Sequence, residues 1–338
     1  MYTLKQIPQD FIVKEIPKLK ILDSGRYLYL KITKKNKNTL DVVKQLAKIL
    51  HIPEKDIGFA GNKDKNAITE QAFSVKKGMK ERIISLEFPD LKIEIIDYGS
   101  TPITLGDLEG NQFEITIRNL EKEKISKVKY IPNYFDEQRF ARNNAAIGKH
   151  LIKKEFANAL ELMNYSQCAR YLETHQNDFI GALKLLPMRL LKMYINAYQS
   201  YLWNETLAQY LREKGKVEKE AEYSLGKFVF VANPEKYCTL EILLIGCGDI
   251  ISKDEKIKVI ISKILRRENI TPADFVIKQI KELTQMGEMR KAFIEVQDLK
   301  IGKLQSDELN PGKKKVCVSF SLGKGSYATM VVKAIVED

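Results

Sequence analysis

The sequence predicts an α+β fold, because strand-like patterns lie toward both ends of the 338-residue chain and helical patterns fill its middle. In the end segments hydrophobic and polar residues alternate, as in strands with one buried face, whereas from about Asn143 to Met286 apolar residues recur at helical spacing. A chain of this length with 44% hydrophobic residues can bury two cores. We therefore predict a discontinuous domain of residues 1–142 and 287–338, and an inserted, mostly helical domain of residues 143–286.

The N-terminal segment is predicted to contain a strand followed by a helix. Residues Tyr27–Ile32 alternate between apolar and other side chains, which is typical of a half-buried strand. Thr39 is a good helix N-cap, and apolar residues then recur at helical spacing until Pro53 ends the run. The apolar positions are Leu28, Leu30 and Ile32 in the strand and Leu40, Val43, Leu46, Ala47 and Leu50 in the helix.

Further elements are predicted on both sides of the centre and within it. The dipeptide Gly110-Asn111 indicates a turn into the alternating strand Phe113–Ile117. Near the C-terminus, Cys317–Ser321 and Thr329–Val332 are predicted to be strands joined by a glycine-containing turn. One central helix is predicted to pack a broad apolar stripe into a core, formed by Leu190, Tyr194, Ala197, Tyr198, Tyr201 and Leu202.

The charge balance makes a polyanion a plausible partner. The formal net charge is +12 and the pI is about 9.2, although a lysine-rich surface can also arise without any nucleic-acid function. The short basic clusters Lys34-Lys35 and Lys313–Lys315 are more typical of solvated turns than of binding sites. Since no apolar stretch has the length of a membrane span, we expect a cytoplasmic protein with no membrane partner.

The cysteines and histidines do not suggest a metal site or a thiol nucleophile. No C-x-x-C pair occurs, and the three histidines lie in unrelated contexts. Buried, reduced thiols are the expected state of Cys168, Cys238, Cys247 and Cys317. Any chemistry is therefore expected to use carboxylates, amines and amides, without a cofactor.

The densest polar segment is Gly58–Gln71, which follows the predicted helix and precedes the strand-like run Ala72–Val75. It is predicted to lie on a connection at the rim of a sheet, where functional residues concentrate. Asp64 stands between Lys63 and Lys65, whose positive charges would keep its carboxylate ionised and available as a nucleophile. The same composition also fits an ordinary polar loop.

Three other segments are candidates for a functional site. The segment Pro132–Phe140 combines aromatic rings with an amide and an arginine, the mixture needed to stack a base and read its polar edge, but it also fits an amphipathic loop held on a core. Gln9–Glu15 could equally be a first strand with Phe11 in the core. Gly323–Ser326 weakly resembles a phosphate-binding loop but is too short for a Walker motif, which argues against nucleotide hydrolysis.

Together these segments resemble the tRNA pseudouridine synthase D (TruD) family. The matching motifs follow the family's order and extend over nearly the whole chain, which makes them far more specific together than singly. They are Asp10-Phe11-x-Val13-x-Glu15, Ala60-Gly61-x-Lys63-Asp64-Lys65-x-Ala67-x-Thr69-x-Gln71, Leu105-Gly106-Asp107-Leu108-x-Gly110-Asn111-x-Phe113, Pro132-Asn133-Tyr134-Phe135-x-x-Gln138-Arg139-Phe140, Tyr198-Gln199-Ser200 with Asn204, and Gly325-Ser326-Tyr327-Ala328-Thr329.

The resemblance implies a catalytic domain of the pseudouridine-synthase type, with a mixed sheet and helices, and an inserted domain particular to this family. It implies that Asp64 is catalytic. The implied substrate contacts are Phe11, Asn133 and Tyr327, with Phe135 beside the target base, and the candidates for phosphate contact or for pairing with Asp64 are Lys63, Lys65 and Arg139. Asp136 and Ala141 stand where the family usually has glycine, and Tyr327 where phenylalanine is common.

The implied reaction breaks the C1′–N1 bond of a uridine in tRNA, turns the uracil and forms a C1′–C5 bond. It needs no metal or redox cofactor and no obligate protein partner, and the family suggests position 13 of tRNA. The target nucleotide is expected to flip into a pocket, with Phe135 and Tyr327 as stacking faces and Asn133 at the uracil edge. Whether Asp64 attacks C6 or C1′ stays open.

Three other classes of function are alternatives, of which a purely structural protein explains neither the amide-rich loops nor the basic excess. A non-catalytic RNA-binding protein on the same fold would be expected to lack the carboxylate at position 64, where aspartate is present. A metal-dependent nuclease would need clustered acidic residues, whereas the neighbours of Asp64 are basic.

Overall fold

A computed structural model of the chain describes residues 2–85, 90–121 and 125–336. Its strands are β1 Phe11–Pro17, β2 Tyr27–Lys35, β3 Gly58–Phe59, β4 Ile68–Lys76, β5 Leu91–Gly99, β6 Leu108–Leu120, β7 Tyr130–Pro132, β8 Val217–Tyr223, β9 Gly226–Val231, β10 Glu241–Leu244, β11 Glu288–Lys291, β12 Phe293–Glu295, β13 Gln297–Ile301, β14 Gln305–Ser306 and β15 Lys314–Gly323. Its helices are α1 Thr39–Leu50, α2 Lys80–Ile84, α3 Asn144–Ile152, α4 Phe156–Met163, α5 Ser166–Thr174, α6 Phe179–Lys184, α7 Met188–Lys214, α8 Glu255–Glu268 and α9 Ala328–Ile335. The α+β class predicted from the sequence is confirmed.

The chain divides into two compact units, a terminal unit of Met1–Lys129 with Val296–Asp338 and a central unit of Tyr130–Glu295. In the central unit β7 pairs with β12. The segments 130–142 and 287–295 therefore group with the central unit. The sequence predicts both segments to be part of the discontinuous domain.

The terminal unit is built on a mixed sheet with the strand order β13-β15-β6-β1-β4-β2-β5, while β14 pairs with β15 and β3 with β4. The β1–β4 pair is parallel and the other pairs of this sheet are antiparallel. Helix α1 covers one face, because its apolar stripe packs on the inward side chains of β2, as the two periodicities predict. The fully buried residues at this contact are Leu28, Leu30, Ile32, Val42, Leu46 and Leu50.

Two predicted elements of the terminal unit are wrong. Gly110-Asn111 is not a turn but lies within β6, where a Cβ at Gly110 would be only 2.2 Å from the carbonyl oxygen of Leu322. Thr329–Val332 is not a strand but part of α9, because a short apolar run does not distinguish a buried strand from a buried helix. The glycine turn between the two segments is present, with Gly325 at a φ of 79°.

The central unit is organised around α7, whose predicted apolar stripe is largely confirmed. Tyr194, Ala197, Tyr198 and Leu202 are buried, while Leu190 and Tyr201 are half-buried. Helices α3 and α8 contact α7, and β8–β9 and β10–β11 form two-stranded sheets. Among the described residues, no helix combines the length and the hydrophobicity needed to cross a bilayer.

The expectation of buried thiols is confirmed at Cys168 and wrong elsewhere. Cys168 is buried, Cys238 and Cys247 are half-buried, Cys317 is exposed, and all four are free of disulfides. Cys317 is exposed because it points outward from β15, a strand whose neighbouring residues Val316 and Val318 face the core.

Candidate active site

The loop that carries Asp64 connects β3 to β4, and hydrogen bonds fix its backbone. The Gln71 side-chain amide donates to the Gly61 carbonyl, and the Lys63 backbone N–H donates to the Thr39 hydroxyl at 2.9 Å. That hydroxyl in turn donates to Gln71 Oε1 at 3.1 Å. The first residue of α1 and a side chain of β4 therefore hold the loop from two sides.

The Asp64 side chain is 30% exposed and forms an ion pair with the Lys5 ammonium. The same ammonium lies over the Phe11 ring, 4.1 Å from its centroid. Lys5 therefore brings together two residues that the sequence marks as site residues, the carboxylate of Asp64 and the aromatic ring of Phe11. An opposite charge in direct contact favours the ionised carboxylate.

The segment that carries Lys5 is held against β6. Thr3 and Arg118 exchange backbone hydrogen bonds of 2.9 and 3.0 Å. The Arg118 guanidinium is buried and bonds Asp10 at 2.8 Å and Asp307 at 2.7 Å. Asp10, which precedes Phe11 in the first motif, therefore has a structural partner, and its ion pair fixes the chain on the N-terminal side of Phe11.

Behind Asp64 lies Lys34, a lysine that is 1% exposed. Its Nζ donates to the main-chain carbonyl of Asp64 at 3.1 Å and to that of Lys37 at 2.5 Å. Burial lowers the pKa of Lys34 to about 8, while the negative charge of Asp64 opposes this shift. The expectation that Lys34 belongs to a solvated basic turn is therefore wrong, because it continues the inward-facing row of β2.

The two lysines beside Asp64 have different environments. The Lys63 side chain is 7% exposed and forms a 2.6 Å ion pair with Glu15, which is 1% exposed. The other oxygen of Glu15 accepts the Ala72 N–H at 3.1 Å. Lys65 is exposed. The arrangement assigns Lys63 to a buried pair between the loop and β1, and leaves Lys65 accessible to a phosphate.

Tyr327 is half-buried and immediately precedes α9 in the same terminal unit. The turn before it is tied to another loop, since Lys324 Nζ donates to the Gly106 carbonyl at 3.3 Å. The N–H of Gly106 donates to the carbonyl of Ala60 at 2.8 Å. The loops carrying Asp64 and Tyr327 are therefore both bonded to the same segment around Gly106.

The central unit contains a second cluster, in which Asn133 is 6% exposed. Its N–H donates to the Ala292 carbonyl at 2.8 Å and its Nδ2 donates to the Lys291 carbonyl at 3.1 Å. The Arg290 guanidinium donates to Asn133 Oδ1 at 2.8 Å and to its main-chain carbonyl at 3.0 Å. These bonds fix which end of the Asn133 amide is the acceptor.

Phe135 is 8% exposed and is held by the same cluster. Its backbone N–H and carbonyl bond the Asn204 side-chain amide at 2.9 and 2.8 Å. Its ring packs edge-to-face on Trp203, with centroids 5.7 Å apart, and the Arg290 guanidinium lies 4.1 Å from the ring centroid. The guanidinium of Arg139 is 5.8 Å from the same ring.

The α7 motif explains how this cluster is held. Ser200 Oγ accepts from Arg139 Nε at 3.3 Å, and Gln199 Nε2 donates to the Ile245 carbonyl at 2.7 Å. The two positions where the family usually has glycine have φ angles that any residue adopts, −81° at Asp136 and −52° at Ala141. Both departures are therefore compatible with the backbone.

The predicted site residues thus fall into two groups, each described within its own unit. Asp64, Phe11, Lys63, Lys65 and Tyr327 lie in the terminal unit, and Asn133, Phe135 and Arg139 lie in the central unit.

Sequence reasoning missed Lys5, Lys34 and Arg290. The one local signal was at Lys34, two residues beyond Ile32 on the inward face of β2. Within residues 2–85, 90–121 and 125–336, no cluster of three or more histidine, cysteine or acidic side chains is arranged to hold a metal ion.

Comparisons with known proteins identify the family. The family model described as tRNA pseudouridine synthase D (TruD) matches residues 2–170 and 166–335. A Methanocaldococcus jannaschii protein named "Probable tRNA pseudouridine synthase D 2" is 34% identical, with 98% of this chain and 90% of that protein covered. A Methanococcus maripaludis protein named "Probable tRNA pseudouridine synthase D 1" is 31% identical, with 98% of each covered.

A crystal structure of a Methanosarcina mazei protein assigned to TruD has the same fold. Its TM-score is 0.70 at 24% identity, with 98% of this chain and 92% of that chain covered. The fold agreement, together with the family match over nearly the whole sequence, leads to one assignment. The chain belongs to the tRNA pseudouridine synthase D (TruD) family.

Proposed function

We propose that this protein isomerises a uridine of tRNA to pseudouridine, with Asp64 as the catalytic carboxylate. Family membership supports the reaction. The observation that carries the residue assignment is the Asp64 carboxylate itself, which is partly exposed and paired with Lys5. The same Lys5 lies over the Phe11 ring, and hydrogen bonds hold the loop of Asp64. A nucleophile or base needs both the charge and the fixed position.

The reaction is a balanced rearrangement of one nucleotide. The C1′–N1 bond breaks, the uracil turns, C1′ bonds to C5, and the proton lost from C5 is balanced by the proton gained at N1. Asp64 can add to C6 or to C1′, or assist removal of the C5 proton. The ion pair with Lys5 fixes the position of the carboxylate.

The base is proposed to flip out of the RNA, and Phe11, Tyr327, Asn133 and Phe135 are its proposed contacts. In the free protein, the Arg290 guanidinium occupies a face of Phe135 and donates to Asn133 Oδ1. These are the contacts that a planar uracil with a donating N3–H would make. Uracil binding at Phe135 therefore requires Arg290 to give up this position or to form the opposite wall of the pocket.

The net charge of +12 favours binding of the tRNA backbone. Lys65 and Arg139 are candidate phosphate contacts, whereas the buried pair with Glu15 favours a structural role for Lys63. We further propose position 13 as the target uridine, a cytoplasmic location, and a role in RNA positioning for the inserted domain, residues 143–286.

The test compares Asp64→Asn with wild type in single-turnover conversion of uridine-labelled tRNA without added metal. Asparagine preserves size and hydrogen bonding but removes the anionic oxygen, so we expect product formation to vanish and tRNA affinity to stay within about twofold. Asp23→Asn, at an exposed position, is the matched control and should behave as wild type.

Each other outcome has a definite meaning. Activity of Asp64→Asn above about a hundredth of wild type, with deamidation excluded by mass spectrometry, would refute the assignment of Asp64. Wild-type binding of tRNA without product would identify a non-catalytic RNA-binding protein, and cleavage of the tRNA would identify a nuclease.

A further inference from the structure

Lys34 lies where the fold would ordinarily bury an apolar side chain. In β2 the side chains of Leu28, Leu30 and Ile32 point into the core against α1, and Lys34 is the next residue on that face. It is 1% exposed, so its ammonium is removed from bulk water at the end of the apolar row.

The partners of this ammonium are two main-chain carbonyls. Nζ donates to Lys37 O at 2.5 Å, in the turn after β2, and to Asp64 O at 3.1 Å, in the loop before β4. Among the described residues, no carboxylate oxygen lies within the 4.0 Å that defines an ion pair with Lys34. The lysine therefore joins two loops, and no carboxylate of the described ranges is in contact with it.

The surrounding charges come from one helix and one loop. Asp41 on α1 and Asp64 favour the ammonium, and Lys63 opposes it. The neighbours of Lys34 across the sheet are uncharged, Thr69 on β4 and Leu91 on β5.

Stability does not explain a lysine at this position. Taking an ammonium out of water without a paired carboxylate is unfavourable, and apolar residues of similar volume at such positions are often more stable. What the ammonium gains is contact with the backbone of Asp64, whose side chain is held at its other end by Lys5.

We propose that Lys34 is a positioning residue for the isomerisation: it holds the main chain of Asp64 while Lys5 holds the carboxylate, and its positive charge strengthens its hydrogen bonds to the two carbonyls. This inference rests on the proposed catalytic role of Asp64. Lys34 is nearly inaccessible and acts through Asp64, not on the RNA.

A consequence follows for the pH dependence of the rate. Burial lowers the pKa of Lys34 to about 8, so the ammonium is charged below that pH and neutral above it. A neutral amine still has two N–H donors, but its hydrogen bonds to the two carbonyls are weaker than those of an ammonium, so the backbone of Asp64 is held less firmly. The rate at saturating tRNA should therefore fall as the pH rises through about 8.

The experiment measures single-turnover pseudouridine formation at saturating tRNA between pH 6 and 9.5. Wild type, Lys34→Met, Lys34→Arg and the control Lys35→Met, a neighbour that is exposed, are compared. We expect Lys34→Met to be about 10–100-fold slower at pH 7, as for a misplaced catalytic group, with unchanged tRNA affinity and no decline near pH 8. Lys35→Met should keep both the wild-type rate at pH 7 and the wild-type decline near pH 8.

Lys34→Arg keeps the charge at all of these pH values, so it should recover most of the rate and lose the decline near pH 8. If Lys34→Met does not fold, the wild-type and Lys34→Arg profiles still decide the question. The proposal is overturned if Lys34→Met has the wild-type rate, or if Lys34→Arg keeps the wild-type decline. A wild-type protein that makes no pseudouridine, or a fully active Asp64→Asn variant, would instead overturn the proposed function.

Discussion

The buried ammonium of Lys34 leads to a prediction about stability that is independent of catalysis. In the unfolded chain Lys34 holds its proton up to its ordinary pKa of 10.5, whereas in the folded protein burial lowers the pKa to about 8. Between these values the unfolded chain binds more protons, so this group makes folding more favourable as the pH rises. Lys34→Met removes the group and with it this pH dependence.

The magnitude follows from the two pKa values. A difference between 10.5 and about 8 corresponds to at most about 3.5 kcal/mol, since one pKa unit is worth about 1.4 kcal/mol. Water that reaches the ammonium reduces this figure, so we expect about 1–3 kcal/mol. At pH 7 the ammonium is charged in the folded wild type, so the full unfavourable free energy of burying it is present. Lys34→Met removes this unfavourable contribution, and it also removes the two hydrogen bonds to carbonyls.

The decisive quantity is how the difference in unfolding free energy between Lys34→Met and wild type changes with pH. Relative to Lys34→Met, the unfolding free energy of wild type should rise by about 1–3 kcal/mol from pH 7 to pH 10.5, because only wild type contains the group whose pKa is lowered on folding. Urea denaturation followed by circular dichroism at several pH values measures it, with Lys35→Met as the control for an exposed lysine. A difference that stays constant with pH would refute the assignment of a lowered pKa to Lys34.

Four other outcomes follow from the structure and the charge. The logarithm of tRNA affinity should fall linearly with the logarithm of salt concentration, with a slope of several units. A slope near zero in filter binding would exclude nucleic acid as the partner of this protein. Phe135→Ala and Tyr327→Ala should each weaken productive binding by about 1–3 kcal/mol, so near-native kinetics in both would remove these rings from the site. Substitution of surface lysines in residues 143–286 should weaken tRNA binding more than the single-turnover rate at saturation, and the reverse result would place catalysis in the insertion. Glu15→Gln should lower the unfolding free energy by about 3–5 kcal/mol, because Lys63 is left buried without its partner, and a loss below 1 kcal/mol in urea denaturation would show that the pair is solvated.

The elements that could be predicted from sequence are those whose pattern is local and long. The alternation of β2 and the apolar stripe of α1 each extend over many residues, and both elements are present. Thr329–Val332 offered only four residues rich in β-branched side chains. Burial of α9 against its unit outweighed that local preference for a strand.

The residues around Asp64 show a different limit. A motif can indicate Asp64 and Phe11, but Lys5 lies 59 residues before Asp64 and no pattern in its own segment predicts the pairing. Likewise, Arg290 reaches Asn133 from 157 residues away. Such contacts depend on tertiary structure, since the two partners share no local periodicity. Lys34 is the exception, because extending the β2 alternation by one step places it in the core.

Thr39 shows how the fold uses polar groups to fix the loop of Asp64. As the first residue of α1, it was predicted to cap the helix, yet that position is taken by Asn38, whose N–H is accepted by Asp41 at 3.2 Å. The Thr39 hydroxyl is therefore available to accept the Lys63 N–H and to donate to Gln71. A hydroxyl in this role is as buried as the apolar core, and it stabilises the fold only while both partners are present. Removing any member of this network should thus disturb the loop before it disturbs the sheet, which is the arrangement expected where a reactive carboxylate must be held in one place.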